Sequence, residues 1–392
     1  MIGNIIFNNL NIIIIAAAGA CAAFGLAAFL LFRLRLYSAI SNTSRDVLEK
    51  DGEKAVTVVI CCHNEGGLLE GNLPKIMEQR GVKFEVVVVD DCSDDCTPDV
   101  LKRMEGRYPN LRHTFVPATA RYVSHAKLAV SLGVKAARNE WIVMTRPGCA
   151  PVTDLWLKAM SSRFVDGTDI VLGYANYADN GTLVAGRAVY ERLQYNMVWF
   201  LSARNKACGG DGGNLAFRRS AFLACDGYAA SLDSLFGDDD LLVDAMAAKG
   251  NTAVCCAPMA VVREYSANLR RAWRNAKLLR TASLMHSRRR GCNAALLAMK
   301  LSNLGHFLWL AGWVVAAAVF FVTGYAVAAA AAVFAAILLT VADTLLMRRA
   351  TSAVGERSYV FLLWWYETVR PLVYPLWKLR ARLHGRDLRR HV

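Results

Sequence analysis

The sequence predicts an α/β domain with a mostly parallel central sheet, carried by one N-terminal and two C-terminal transmembrane helices. Two observations point there. Of 392 residues, 55% are hydrophobic and only 20% charged, too apolar for an ordinary soluble domain and suggestive of membrane segments. Between the apolar ends, β-branched runs that finish in polar residues alternate with segments of helical period, the pattern of strands joined by crossover helices.

The first run, Ile5 to Phe32, carries no charged residue and is long enough to span a hydrocarbon core. Arg33 and Arg35 follow it. A signal peptide would carry its positive charge before the apolar run and a cleavage site after it, so residues 1–35 read as an anchor that stays. The α/β domain is expected over 54–265. Its strands are "AVTVVICCHNE", "FEVVVVDDCSDD" and "EWIVMT", with the helices "GGLLEGNLPKIMEQR", "TPDVLKRMEGRY" and "SHAKLAVSLGVKAARN" between them. The second helix is expected to start on a Thr97 N-cap with Pro98 in its first turn. That order predicts a parallel sheet covered on both faces.

After Pro151, "DIVLGYANYA" reads as one strand and "AGRAVYERLQYNMVWFLSAR" as an amphipathic helix. "GGDGGNLAFRRSAFLACDGY" reads as a glycine-rich loop entering a helix, and "LFGDDDLLVDAMAAKG" as an acidic turn entering another. Residues 266–300 contain a basic amphipathic helix of the kind that lies in a membrane interface. Residues 301–347 form an apolar hairpin turning at Gly324-Tyr325, and 348–392 a basic, amphipathic tail. Arg33, Arg288-Arg289-Arg290 and Arg348-Arg349 flank the three spans. The positive-inside rule then places the domain and the tail in the cytoplasm and the N-terminus outside.

The net charge of +14 sits largely at these flanks and in the tail, where membrane lipids with anionic headgroups would meet it. The basic residues form no stripe interleaved with exposed aromatics, which argues against nucleic acid as a partner. The eleven cysteines include the adjacent pairs Cys61-Cys62 and Cys255-Cys256, and Cys92 and Cys96 lack zinc-finger spacing. They read as buried hydrophobes.

Several polar groups could carry chemistry. Asp90 and Asp91 end a four-valine strand and would emerge at a crevice where ligands bind, or else cap the following helix. Asn64 and Glu65 end the preceding strand. Lys127 could reach a diphosphate as a point charge, or be a solvated helix lysine. Asp238, Asp239 and Asp240 crowd together before a helix, so one of them could serve as a general base, or simply cap that helix. Glycines of "GGDGGN" would allow a ligand close to the backbone.

In this order the segments resemble the family 2 glycosyltransferases, the nucleotide-diphospho-sugar transferases of the GT-A fold. The resemblance runs from about Val56 to Arg290, and the anchor and hairpin match membrane-bound members. It implies a donor pocket with Asp91 on the nucleotide base, Asn64, Glu65 and Asp90 lining it, and Lys127 facing the donor. It implies Asp239 as the general base of an inverting transfer, with Asp238 and Asp240 beside it, and Gly213 and Asn214 near the transferred sugar and acceptor. Two departures stand out. The family's Asp-x-Asp metal ligands should occupy 146–148, where this chain has Arg146, Pro147 and Gly148. Its Gln-x-x-Arg-Trp element is also missing; Trp273, Arg274, Lys277 and Arg280 stand in that helix instead, so processive synthesis is not expected.

Three readings follow. Arg146, Lys127 and the basic groups of the Trp273 helix could stabilise the leaving diphosphate in place of a metal. The chain could bind nucleotide sugars as a noncatalytic subunit of a membrane glycan complex. Or Asp154 or the Asp94-Asp95 pair could hold Mg2+ or Mn2+, the usual ligands being absent. The first is the expectation taken forward. It describes a multi-pass enzyme of the bacterial inner (plasma) membrane moving a sugar from a UDP-linked donor to a lipid-linked or cell-surface glycan.

Overall fold

A computed structural model describes residues 2–41, 54–117, 124–232, 239–286, 290–357 and 363–387. The chain divides into two compact units: Met1–Ser41, Ala294–Ser352 and Glu356–Leu376 form one, and Asn42–Asn293, Ala353–Gly355 and Trp377–Val392 the other. The basic helix region therefore divides, its residues up to Asn293 grouping with the α/β domain.

The chain opens with α1 (Ile2–Ala28), a π-helical turn over Phe29–Arg33, and α2 (Leu34–Ser41). In the α/β unit, β1 (Val56–Cys62), α3 (Gly66–Met77), β2 (Phe84–Asp90), α4 (Thr97–Arg107) and β3 (Leu111–Phe115) follow in turn. Next come α5 (His125–Ala136), β4 (Trp141–Thr145), β5 (Cys149–Pro151), α6 (Trp156–Ser161), β6 (Ile170–Gly173) and β7 (Ala175–Tyr177). The unit continues through α7 (Leu183–Ala203), β8 (Leu215–Arg218), α8 (Arg219–Ala224) and α9 (Asp240–Met246). It ends with β9 (Thr252–Cys255), β10 (Val262–Glu264) and α10 (Leu269–His286). Beyond it lie α11 (Arg290–Val322), α12 (Ala326–Ala353) and α13 (Leu363–Asp387).

The main sheet has the strand order β3-β2-β1-β4-β8-β6-β9, and only β8 runs antiparallel to its neighbours. The period-two alternation of β1 and β2 explains how both faces are covered. Val58, Ile60, Val86 and Val88 pack on Leu69, Leu73, Val100 and Leu101 of α3 and α4. Val87 and Val89 pack instead on Ala129 of α5. Because β1 pairs with β2 on one side and β4 on the other, strand order reverses there, and a crevice opens at the carboxyl ends of these strands. A second, three-stranded sheet, β5-β10-β7, lies in the same unit.

Five local expectations are corrected. β3 is absent from the expected order: at the sheet edge only Leu111 of its five residues is buried, giving a weak apolar signal. "DIVLGYANYA" is two strands, broken at Tyr174 and shared between the two sheets. α7 is buried along nearly all its length rather than amphipathic. The glycine loop runs into strand β8 before the short α8. At α4, Thr97 is the first helical residue, and its N–H is accepted by Asp95 Oδ1 at 2.9 Å.

Among the described residues three helices are long and apolar enough to cross a membrane: Asn9–Ile40, Ala294–Val322 and Ala326–Ala353. The hairpin turns at Gly324, whose φ of 83° suits glycine. Small residues bring α1 and α11 together: a Cβ on Gly25 would lie 2.7 Å from the Gly305 carbonyl oxygen. Arg33 corrects the reading of the first flank. It is 3% exposed and donates to Asp343 Oδ1 at 2.5 Å and Tyr37 Oη at 3.1 Å, while also pairing with the buried Glu367. A hydropathy window registers the arginine but not the carboxylates on α12 and α13 that turn it inward.

Candidate active site

The crevice gathers the acids that end β1 and β2, because Cys62 pairs with Asp90 across the ladder. Asn64 takes a left-handed φ of 55°, which asparagine tolerates better than most residues. Its Oδ1 accepts the N–H groups of Asp94 at 2.8 Å and Asp95 at 3.3 Å, while its own N–H goes to Ser93 Oγ at 2.9 Å. Asn64 thus clamps the two loops together. Asp90 Oδ1 accepts the Ser93 N–H at 3.2 Å. Asp91 Oδ1 lies 2.7 Å from His125 Nδ1, and the Asp91 carbonyl oxygen lies 2.6 Å from His63 Nδ1. His125 was not anticipated, since it opens a helix remote from the acids in sequence.

Arg146 leaves the end of β4 and enters a cluster of carboxylates. Its Nη2 pairs with Asp239 Oδ2, and its Nη1 lies 3.2 Å from Asp211 Oδ1 and 3.4 Å from Glu264 Oε2. Arg192 of α7 holds the latter two more firmly. Its Nε and Nη2 reach the two oxygens of Asp211 at 2.7 Å each, and its Nη1 reaches Glu264 Oε2 at 2.6 Å. Arg280 stands 3.8 Å from Asp211. Burial alone would push the Asp211 carboxyl up, but Arg192 and then Arg146 outweigh it and hold it well below the carboxylate range. Glu264 is lowered by the same contest between burial and those two guanidiniums. At Glu65 burial wins and raises the carboxyl, against a smaller opposing pull from Arg146. Arg146 follows β4, whose Thr145 pairs with Ile60 of β1, and so stands at the same carboxyl edge of the sheet as the crevice.

The remaining expected residues are partly redistributed. Asn214 is fully buried; its amide donates to the carbonyls of Tyr174 at 3.0 Å and Ala260 at 2.8 Å and accepts from Trp156 Nε1 at 3.0 Å. It ties strands together rather than lining a wall. Gly213 donates to Asp211 Oδ1 at 3.0 Å, and its carbonyl accepts from Thr145 Oγ1. Lys127, expected to face a diphosphate or solvent, does neither. It is fully buried, and its Nζ donates to the Ser231 carbonyl at 2.7 Å.

On α10, Trp273 Nε1 and Lys277 Nζ both donate to Glu191 of α7, at 2.9 and 2.8 Å. Arg280 lies over the rings of Tyr195 and Trp199, and Arg274 is half-buried. Asp238 lies outside the described residues. A cavity of about 290 Å³ brings together Arg146, Tyr177, Arg192, Asp239, Glu264 and Arg280, with Asp240 also on its wall.

Among the described residues no three His, Cys, Asp or Glu groups are arranged to hold a metal ion. Asp95 spends its oxygens on the N–H groups of Gly66 and Thr97, and Asp154 faces Arg80 at 3.5 Å on the surface. Where the carboxylates do converge, on Asp211, Asp239 and Glu264, guanidinium groups already stand between them. A divalent cation does not fit there without displacing Arg146.

Residues 57–224 match the model of the family described as "Glycosyl transferase family 2". The mannosyltransferase PcManGT from Pyrobaculum calidifontis, solved in complex with GDP-Man and Mn2+, resembles the chain with a TM-score of 0.51 at 22% identity. That likeness covers 92% of this chain and 99% of that one, and it shows the GT-A fold. TarS 1-349 of S. aureus in complex with UDP-GlcNAc follows at a TM-score of 0.41 and 13% identity, over 82% of this chain and 92% of that one. That second likeness is too loose to carry an argument. No curated protein sequence matches the chain.

Proposed function

We propose that this chain, a glycosyltransferase whose residues 57–224 carry the family 2 match, moves a sugar from a UDP-linked donor to a lipid-linked or cell-surface glycan, with inversion. The observation that carries the reading is the meeting of Arg146 and Asp239 in one cavity, with Arg146 at the end of the strand that pairs with β1. Asp91, oriented by His125, accepts from the nucleotide base, and Asn64, Glu65 and Asp90 shape the same pocket. Arg146 receives the diphosphate. Asp239 takes the proton of the acceptor hydroxyl as that oxygen attacks the anomeric carbon from the face opposite the diphosphate. The bond from the anomeric carbon to the diphosphate breaks, and its electrons leave on the phosphate, where a fixed cation stabilises the growing charge. Lys127 and Asn214 support this site from behind, and Arg280, Trp273, Lys277 and Arg274 belong to the acceptor side.

Because the carboxylates are already held by guanidiniums, Arg146 fills the role of a metal and no step needs Mg2+ or Mn2+. PcManGT, solved with GDP-Man and Mn2+, shows which donor and ion deserve testing beside UDP. Three helices able to cross a membrane support a lipid-linked acceptor, and we place the enzyme in the bacterial inner membrane with its α/β domain in the cytoplasm. One observation favours a second reading, a nucleotide-sugar-binding subunit without turnover: the Asp239 carboxylate is ion-paired to Arg146.

Calorimetry with UDP and GDP, with Mg2+ or Mn2+ and then with EDTA, tests the donor site on wild type and Arg146→Ala. Binding that survives EDTA and collapses in Arg146→Ala is expected. Binding that needs metal and ignores Arg146 would overturn the role given to it. Donor hydrolysis or transfer by the purified chain separates the enzyme from the subunit.

A further inference from the structure

We propose that Asn72 is a positioning residue for Arg146: from α3 it pins the Arg146-Pro147-Gly148 turn and so sets where the guanidinium meets the donor diphosphate. This rests on the role given to Arg146 above and names a side chain on which that role depends.

The turn joins the two sheets, leaving β4 at Thr145 and entering β5 at Cys149. Its own residues narrow the backbone. Pro147 fixes its φ and biases Arg146 away from helical conformation. Gly148 admits no side chain, because a Cβ there would lie 2.7 Å from the Tyr265 carbonyl oxygen, a main-chain atom that cannot step aside. Each of the three carbonyls also has a donor. That of Arg146 accepts the Cys149 N–H at 2.9 Å, and that of Gly148 accepts the Tyr265 N–H at 2.7 Å. These two donors are main-chain groups, steadied by the pairing of Cys149 with Glu264 in the smaller sheet. The middle carbonyl differs. Its described donor is a side chain, Asn72 Nδ2 at 3.0 Å.

Asn72 is 7% exposed and lies in α3 between Leu69 and Leu73, which are packed into the core. A buried amide costs stability unless it is hydrogen-bonded, and the Pro147 carbonyl is its described acceptor. The asparagine side chain is short, so this bond passes the position of a well-packed helix on to the turn. The same helix starts at Gly66, directly after Asn64 and Glu65. One rigid element therefore references both the crevice loop and the turn that carries Arg146. A nucleotide diphosphate held at both places needs that spacing kept. The arginine side chain is long and 36% exposed, so it is aimed chiefly by holding its backbone still. A cation held in place in advance stabilises a leaving phosphate without the cost of rearrangement.

Two variants of the full chain in detergent test this. Asn72→Leu keeps the branched shape of the side chain and removes its N–H. Gly148→Ala disturbs the same turn from the other side, against the Tyr265 carbonyl. UDP is read by calorimetry in EDTA, and uridine, which lacks the diphosphate, by ligand-observed NMR titration. GDP and guanosine replace them if guanine is the base bound. Each variant should weaken UDP about tenfold, as for one misaimed charge-assisted hydrogen bond, and leave the Kd for uridine within about twofold of wild type. Equal weakening of UDP and uridine overturns the proposal, because it would report a general loosening of α3 and the crevice loop. So does an unchanged Kd for UDP in Asn72→Leu where Arg146→Ala loses it, and the function proposed above then survives. If Arg146→Ala binds UDP as wild type does, the role given to Arg146 fails and its positioning by Asn72 fails with it.

Discussion

Replacing Arg192 by leucine tests the frame on which the site is built. Arg192 is 2% exposed and Asp211 fully buried, and three bonds of 2.6–2.7 Å join Arg192 to Asp211 and Glu264. Without it, Asp211 keeps the Gly213 N–H at 3.0 Å, and its described cations are Arg146 at 3.2 Å and Arg280 at 3.8 Å. Breaking a buried pair by removing one partner costs about 3–5 kcal/mol, a large part of the roughly 5–15 kcal/mol that stabilises a domain. For a domain of this size each kcal/mol moves the melting point by about 2–4 °C, so a fall of roughly 6–20 °C is expected. Scanning fluorimetry of the full chain in detergent reads it. The pH dependence adds a second readout. Asp211 and Glu264 are both lowered in the folded state. Their stabilisation is complete above the unfolded values of about 4 and is lost as pH falls through the folded ones. Wild type should therefore lose stability as pH falls below about 4, and Arg192→Leu should lose less. A variant melting within about 2 °C of wild type, with the same acid slope, would refute the claim that this pair supports the site.

Three further substitutions separate support from chemistry. Asn214→Ala strands the Trp156 Nε1–H and the Ala260 carbonyl and leaves the Tyr174 carbonyl only the Val262 N–H at 3.1 Å, and at about 1–3 kcal/mol for each buried orphan the domain should melt markedly lower. An unchanged melting point with lost turnover would return Asn214 to the acceptor side. Gly212→Ala places a Cβ against Asp239 Oδ1 and 2.9 Å from Met144 Cε, so turnover should fall on the order of 100-fold from misplacing the base while UDP still binds by calorimetry. Arg33→Leu takes the guanidinium from buried Asp343 and Glu367, leaving Asp343 the Tyr37 hydroxyl at 2.8 Å, and costs about 3–5 kcal/mol. Adding Asp343→Asn and Glu367→Gln should restore much of the monodisperse chain on gel filtration.

The fold was most legible where burial is two-sided. "VVVV" and "TVVI" admit almost no structure but central strands, and the acids after them mark the carboxyl edge of a sheet. Strands that lie at edges or are shared between sheets were hidden. β3 buries only Leu111, and β7 and β10 are three residues long, too short for any period to show. β8 was masked by its glycines, which read as loop until the pairing with β4 and β6 gives Leu215–Arg218 a partner on each side. α7 looked amphipathic because Glu191, Arg192 and Asn196 were counted as a solvent face. In the fold these are buried polar groups with partners from elsewhere in the chain.

The same cause limits the site. Residues that act through their position on a strand end, such as Asn64, Asp90 and Asp91, could be placed from the strands alone. Residues that act through charge pairing could not, because the partners are far apart in the chain: Arg146 meets Asp239 93 residues on and Glu264 118 residues on, and Arg192 meets Glu264 after 72. A lone arginine in a helix and a lone glutamate in a short strand carry no local signal. Arg146 was conspicuous only because it stands where acids were expected, and that expectation described an empty place for a metal. The structure supplies what the sequence alone left out. Three carboxylates converge on the place, and a partly exposed guanidinium lies between them with Arg192 as its fixed counterpart. An arginine introduced among carboxylates would normally be spent on them and be lost to a substrate. Arg192 already holds Asp211 and Glu264 at 2.6–2.7 Å, so these two carboxylates draw on Arg146 only at 3.2 and 3.4 Å, and its closest described contact is Asp239.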